Sequence, residues 1–172
     1  MSNPKEKQAR FLALYNPVHV PLLRYCEALC RHSETAKELV SEVVLEAFEN
    51  LDKLRSEAAF AGFLFGIAKN KMRRKYRIYG REISLDSCTE DPSDIAAGPE
   101  IKAEVSLLYD ALENLPEKQR EALILFEVSG LSLKEINDIQ GGSLSGVKLR
   151  LKRGRTKLKQ LLGVAEPAQK LS

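Results

Sequence analysis

The sequence predicts an all-α protein, with two small helical domains joined by an acidic flexible linker and the C-terminal domain a helix-turn-helix. Three observations predict this. Long stretches rich in Leu, Ala, Glu and Lys repeat their apolar residues at helical spacing, and only 7 prolines and 10 glycines occur among the 172 residues. From Glu82 to about Pro99 the period is lost, and Asp, Ser, Pro and Gly cluster instead. Near the C-terminus a short helical pattern, the pair Gly141-Gly142 and a basic helical pattern follow one another, the order of a helix-turn-helix.

Taken in order, helical periodicity begins near Lys5 and runs to about Tyr15. Pro17 and Pro21 interrupt or restart it, and a second helix follows to about Arg31. Ser33 is expected to cap a third helix running to about Leu51. Its buried stripe is Leu39, Val40, Val43, Val44, Ala47, Phe48 and Leu51, and Glu34, Glu38, Glu42 and Glu46 recur every four residues as an acidic ridge beside it. Ser56 is expected to cap a fourth helix that buries Phe60, Phe63, Leu64, Ile67 and Met72. These four helices form a first domain over 5–81. A linker over 82–100 follows; about 18 extended residues reach roughly 60 Å, close to two turns of B-DNA at about 34 Å each.

The second domain spans 101–163, with a tail over 164–172. Helical pattern resumes at about Ile101. Pro116 suits the first position of the next helix, and Gly130 ends it. Ser132 with Glu135 forms a capping box for a short helix with Leu133, Ile136 and Ile139 inside. After the glycine turn, Ser143 or a neighbour starts the last helix. At 100° per residue, Leu144, Val147, Leu151, Leu158 and Leu162 fall within about 60° of one another, a core stripe. Ser145, Leu149, Lys152, Arg153 and Thr156 fall on the opposite arc, and Leu149 is an apolar residue among basic ones there. An ordinary amphipathic helix is the competing reading of this segment.

The net charge of +3 hides segregation. Lys69 to Arg81 holds 7 bases and no acid, Glu82 to Glu117 holds 10 acids and 1 base, and Ser143 to Ser172 holds 8 bases and 1 acid. One such block is as readily a solvated helix face. Two basic blocks ending two helical units favour a nucleic-acid partner. No apolar run approaches the roughly 20 residues of a membrane span, and the start MSNPKEKQAR lacks a signal peptide's apolar segment, so a cytoplasmic protein without membrane insertion is expected. Three cysteines exclude a disulfide scaffold. Cys26 and Cys30, one helical turn apart near His32, read as buried helix residues before they read as metal ligands. No nucleophile partners His19 or His32, and no Gly-rich loop cradles a phosphate, so neither an enzyme nor a cofactor is expected.

Two segments resemble a known family. From Ala111 to Leu158 the chain resembles the C-terminal promoter-reading domain of bacterial sigma factors, through Leu115-Pro116-Glu117, Gln119-Arg120-Glu121, Gly130-Leu131-Ser132, Glu135-Ile136 and Val147-Lys148. From Thr35 to Arg81 it resembles the other conserved sigma domain. Glu38-Leu39-Val40 resembles the polymerase-binding helix; Phe60, Phe63-Leu64 and Ile67-Ala68-Lys69-Asn70 resemble the minus-ten-element helix. Two such domains with a short linker resemble the extracytoplasmic-function (ECF) subfamily, sigma-seventy type. The chain departs from the family in having Phe63 where Trp is frequent, Gly142 and Gly146 in the turn and recognition helix, and Leu149 in place of a small polar residue.

The resemblance implies a factor that binds RNA polymerase core and directs transcription initiation. It implies that Glu34, Glu38, Leu39, Glu42 and Glu46 meet the beta-prime clamp helices, with a beta-flap contact elsewhere. Lys53, Arg55, Asn70, Arg73 and Arg74 would hold the melted minus-ten strand, with Tyr76 and Tyr79 interleaved in the basic run. Ser143, Ser145, Lys148, Leu149, Arg150, Lys152 and Arg153 would meet the minus-thirty-five element. An anti-sigma factor is a further implied partner. The competing classes are a helix-turn-helix regulator acting without polymerase core, and a sigma homologue that has lost DNA binding.

Overall fold

The computed structural model describes residues 3–79 and 98–164. Helices and turns, without a strand, make up the described residues. The N-terminal half contains α1 (Pro4–Tyr15), α2 (His19–Cys30), α3 (Ser33–Glu49) and α4 (Phe60–Tyr79). The C-terminal half contains α5 (Pro99–Glu113), α6 (Glu117–Leu123), α7 (Leu133–Gln140) and α8 (Leu144–Leu161). Nearly all of the expected linker lies outside the described residues, as do the side chains of Tyr76 and Tyr79.

Local chemistry sets the helix boundaries. Asn3 accepts a hydrogen bond from the Lys5 N–H at 3.1 Å, and Pro4 starts α1 with an N–H it does not need. Pro17 falls in a 3₁₀ turn, Asn16–Val18, so α1 and α2 are separate. His32 rather than Ser33 caps α3, because Arg31 turns the chain through φ 55 and leaves His32 extended. The His32 Nδ1 then accepts from the Thr35 N–H at 3.4 Å. Ser56 makes no side-chain cap; a 3₁₀ turn, Glu57–Ala59, intervenes before α4. Pro116 stands one place earlier than expected, at the cap of α6, with ψ 139 holding it extended.

The capping box of α7 is complete. The Glu135 N–H donates to Ser132 Oγ at 3.2 Å, and the Ser132 N–H donates to Glu135 Oε2 at 2.7 Å. Ser132→Ala should therefore cost about 1 kcal/mol, read as a lower urea midpoint with an unchanged slope.

The core of the N-terminal half is a layer of α2, α3 and α4. Leu22, Tyr25 and Cys26 meet Leu39, Val43 and Ala47, and α4 adds Phe60, Leu64, Phe65, Ile67 and Ala68. Phe63 and Met72, expected inside, are only half-buried. In the C-terminal half α8 packs on α6 and α7 through Val147, Leu151 and Gly154. A Cβ at Gly154 would lie 3.1 Å from Leu123 Cδ1, so the bare glycine seats α8 against α6. Leu144 and Leu162, expected in the stripe, are exposed: Leu144 is the first residue of α8 and Leu162 its C-cap. The buried side chains of both halves join in one cluster: α2 packs on a π turn, Ile124–Val128, that continues α6, and α4 packs on α7.

Candidate nucleic-acid interface

The ridge on α3 is partly solvated and partly paired. Glu34, Glu38 and Glu42 are exposed and Glu46 is half-buried. Glu46 meets Lys71 at 2.8 Å, Glu42 meets Lys75 at 3.4 Å and Glu34 meets Lys37 at 3.4 Å, while Glu38 pairs with no described residue. Leu39 is a correction to the sequence expectation: it is 0% exposed and belongs to the core, so it cannot touch a partner.

A groove opens at the start of α4. Lys53, Arg55 and Ser56 line it with Ala59, Gly62 and Phe63, and α7 closes one side with Lys134 and Asp138. Lys53 and Arg55 are exposed: Lys53 ends a 3₁₀ turn, Leu51–Lys53, and Arg55 lies between it and the turn Glu57–Ala59. Further along α4, Asn70, Arg73 and Arg74 are exposed and share one flank at helical spacing. Arg73 is not free there: its Nη2 and Nε donate to Glu117 Oε1 at 2.8 and 3.2 Å. Those bonds hold the Glu117 carboxyl below the usual carboxylate range.

On α8 the expected arc divides by role. Leu149, Lys152, Arg153 and Thr156 line a second groove with Pro116 and Gln119 of α6, and Lys157 and Gln160 extend it. Ser145 and Lys148 are exposed nearby. Ser143 Oγ accepts from the Gly146 N–H at 3.1 Å, so its side chain caps the helix. Arg150 donates to the Gly141 carbonyl at 3.3 Å and braces the turn, where Gly141 and Gly142 have φ of 77 and 92. Ser143 and Arg150 thus brace the start of α8, and Leu149, Lys152 and Arg153 are exposed on its groove-lining face.

Sequence reading missed the acids facing the basic run of α4. Besides Arg73 and Glu117, Lys69 Nζ lies 2.9 Å from Glu121 Oε2, and Arg31 reaches Asp110 and Glu113 at 3.2 and 3.3 Å. The signal was present: Glu113, Glu117 and Glu121 recur every four residues, as the α3 acids do.

Cys26 and Cys30 are free and buried, and burial pushes the Cys30 thiol up to about 11 and the Cys26 thiol higher still. Among the described residues no three or more His, Cys, Asp or Glu gather into a possible metal site. No described helix is long and apolar enough to cross a membrane.

Residues 14–82 match the family model for Sigma-70 region 2, and residues 106–158 match that for Sigma-70, region 4. The ECF RNA polymerase sigma factor EcfG of Rhodopseudomonas palustris is 34% identical over 84% of this chain and 81% of its own length. The RNA polymerase sigma factor SigZ of Bacillus subtilis is 30% identical over 87% of this chain and 85% of its own length. The sigma factor RpoE of Bartonella quintana, solved in complex with the anti-sigma factor NepR, superposes with a TM-score of 0.63 at 27% identity, over 94% of this chain and 99% of that one.

Proposed function

The chain belongs to the ECF sigma factors of RNA polymerase, and we propose that its two halves divide the promoter between them. A factor of this family binds the polymerase core and directs promoter-specific transcription initiation. On our reading, region 2 is 5–81, the linker 82–100 and region 4 101–163, with a tail over 164–172. Glu34, Glu38, Glu42 and Glu46 meet the basic clamp helices of the beta-prime subunit, and region 4 meets the beta flap. Lys53, Arg55, Asn70, Arg73 and Arg74 take the melted minus-ten strand, whose phosphates need cations and whose flipped bases need a groove. Leu149, Lys152, Arg153, Ser145 and Lys148 meet the minus-thirty-five element. The protein works in the cytoplasm as an initiation factor, not an enzyme, and an anti-sigma factor is its regulatory partner. That last assignment draws on the complex of the Bartonella protein with NepR.

The observation that carries this reading is the exposed basic face of α8, with an apolar side chain at its centre. Leu149 is 44% exposed; a lone surface leucine is ordinary, and what supports the reading is its place beside Lys152 and Arg153 in one groove. In a major groove the matching group is a thymine methyl. Leu149→Ser should therefore change which upstream element is preferred, at a cost of roughly 1–3 kcal/mol for the original base. Lys152→Ala should weaken all sequences alike and lower the salt slope by about one. Selection of upstream elements from a random library, with both variants in holoenzyme at fixed salt, tests this; an unchanged selected sequence for Leu149→Ser would remove α8 from this orientation.

A further inference from the structure

Helix α1 is the part of the N-terminal half that the promoter reading leaves without a role. The match to Sigma-70 region 2 begins at residue 14, so all but the end of α1, Pro4–Tyr15, precedes it. Phe11 is the one buried residue of α1. Lys7 and Arg10 share its face of the helix, since residues three and four apart lie side by side. That face meets the loop that joins α3 to α4 and carries Lys53 and Arg55.

The contacts reach both ends of the loop. Lys7 Nζ lies 3.1 Å from Oδ2 of Asp52, the residue before Lys53, and 3.5 Å from the Glu49 carbonyl oxygen at the end of α3. The same ammonium sits 5.2 Å from the centre of the Phe48 ring. Arg10 Nε lies 3.6 Å from Oε1 of Glu57, which follows Arg55 by two residues. Between these pairs the Phe11 ring meets Phe48 and Phe60 edge-on, with centres 5.4 and 5.7 Å away. Phe48 belongs to α3 and Phe60 starts α4, so Phe11 braces the two helix ends from which the loop hangs.

We infer that α1 is a strut for the strand-reading loop, in which Lys7 and Arg10 are positioning residues that hold Lys53 and Arg55 toward the melted strand. That role rests on the proposed use of the Lys53–Arg55 groove by the strand. A side chain reads a base only when its backbone is held to about 0.5 Å. The loop supplies little of that hold itself. None of residues 52–58 is buried. Its first 3₁₀ turn is closed by the Lys53 N–H donating to the Asn50 carbonyl at 2.9 Å and the Leu54 N–H donating to the Leu51 carbonyl at 3.1 Å. The two cations have a second effect. Asp52 and Glu57 are exposed close to Lys53 and Arg55, where bare carboxylates repel a phosphate backbone. Lys7 and Arg10 offset those charges without lining the groove themselves.

Ion pairs this close to the surface add little to stability, so the fold should survive their removal. Lys7→Gln combined with Arg10→Gln removes both cations of the strut. Lys5→Gln combined with Arg24→Gln removes the same charge from exposed positions of α1 and α2. Each chain, assembled with polymerase core, is used to select single-stranded DNA from a random library. The wild type and the control pair should enrich one motif. The strut variant should lose about fivefold in preference within that motif, the lower end for a base-reading contact, at unchanged affinity for core. Lys7→Arg combined with Arg10→Lys keeps both charges and should keep the motif. Undiminished preference in the strut variant overturns the inference, and so does a loss accompanied by an equal loss of core affinity or by a fall in the urea midpoint. An equal loss in the exchanged variant overturns the assignment to charge pairing. Amide hydrogen exchange of the free chain reads the hold on the loop directly: Lys53 and Leu54 should lose protection in the strut variant while α2 and α4 keep theirs. Unchanged protection overturns the strut whatever the strand does. If Lys53→Ala combined with Arg55→Ala leaves the wild-type motif intact, the groove reading fails instead, and the exchange still decides whether α1 holds the loop.

Discussion

Reversing Glu38 and Glu42 to lysine should lower affinity for polymerase core at least about tenfold, equivalent to about 1.4 kcal/mol. Both side chains are exposed on α3, and Glu38 pairs with no described residue. Against a basic coiled coil, each reversal exchanges an attraction for a repulsion, and like charges across an interface are costly. Stability should move by no more than about 1 kcal/mol, because the one ion pair lost, Glu42 with Lys75, lies near the surface. A pull-down titration against core, alongside urea unfolding, separates the two effects. Unchanged affinity would take the ridge out of the interface.

Phe65→Ala should have the largest effect on stability, a loss of about 3–5 kcal/mol. Phe65 is 0% exposed, and its ring centre lies 5.2 Å from that of Tyr25, itself 1% exposed. Truncation leaves a cavity between α2 and α4 and removes a ring pair. For a protein of ordinary stability, about 5–15 kcal/mol, that is a large share of the whole. Equilibrium urea unfolding should show the midpoint falling steeply. A shift below about 1 kcal/mol would mean that the layer of α2, α3 and α4 is not closed around this ring.

The same residue shows where sequence reading stopped. Helix existence was legible from periodicity, and so were the capping box of α7 and the glycine turn before α8. Periodicity predicts a buried stripe of α4 through Phe60, Phe63, Leu64, Ile67 and Met72, because a surface helix buries one narrow face. In the structure α4 packs against α2 and α3 and also against α7, so its covered arc is wider. Phe65 falls inside that arc, and Phe63 turns toward the groove of Lys53 and Arg55. On α3 the acidic ridge was legible from its four-residue spacing, but Leu39, next in sequence to Glu38, lies inward. On α8 the arc of Leu149, Lys152 and Arg153 was legible by angle, because one helix fixes those positions. The bracing roles of Ser143 and Arg150 were not, because they depend on a turn whose backbone shape no periodicity encodes. The seam between the two halves was least legible. Its pairs join Arg31 to Asp110 and Lys69 to Glu121, far apart in the chain, and the acids were absorbed into a stretch that read as one acidic block.

Run-off transcription from fragmented genomic DNA, with polymerase core alone and with core plus this protein, tests the central claim most directly. The account predicts that adding the protein creates discrete new start sites, sharing one element at the melted region and a second upstream. Start sites no different from those of core alone, together with tight binding of the protein by itself to duplex DNA, would contradict it and indicate a regulator that works without polymerase core.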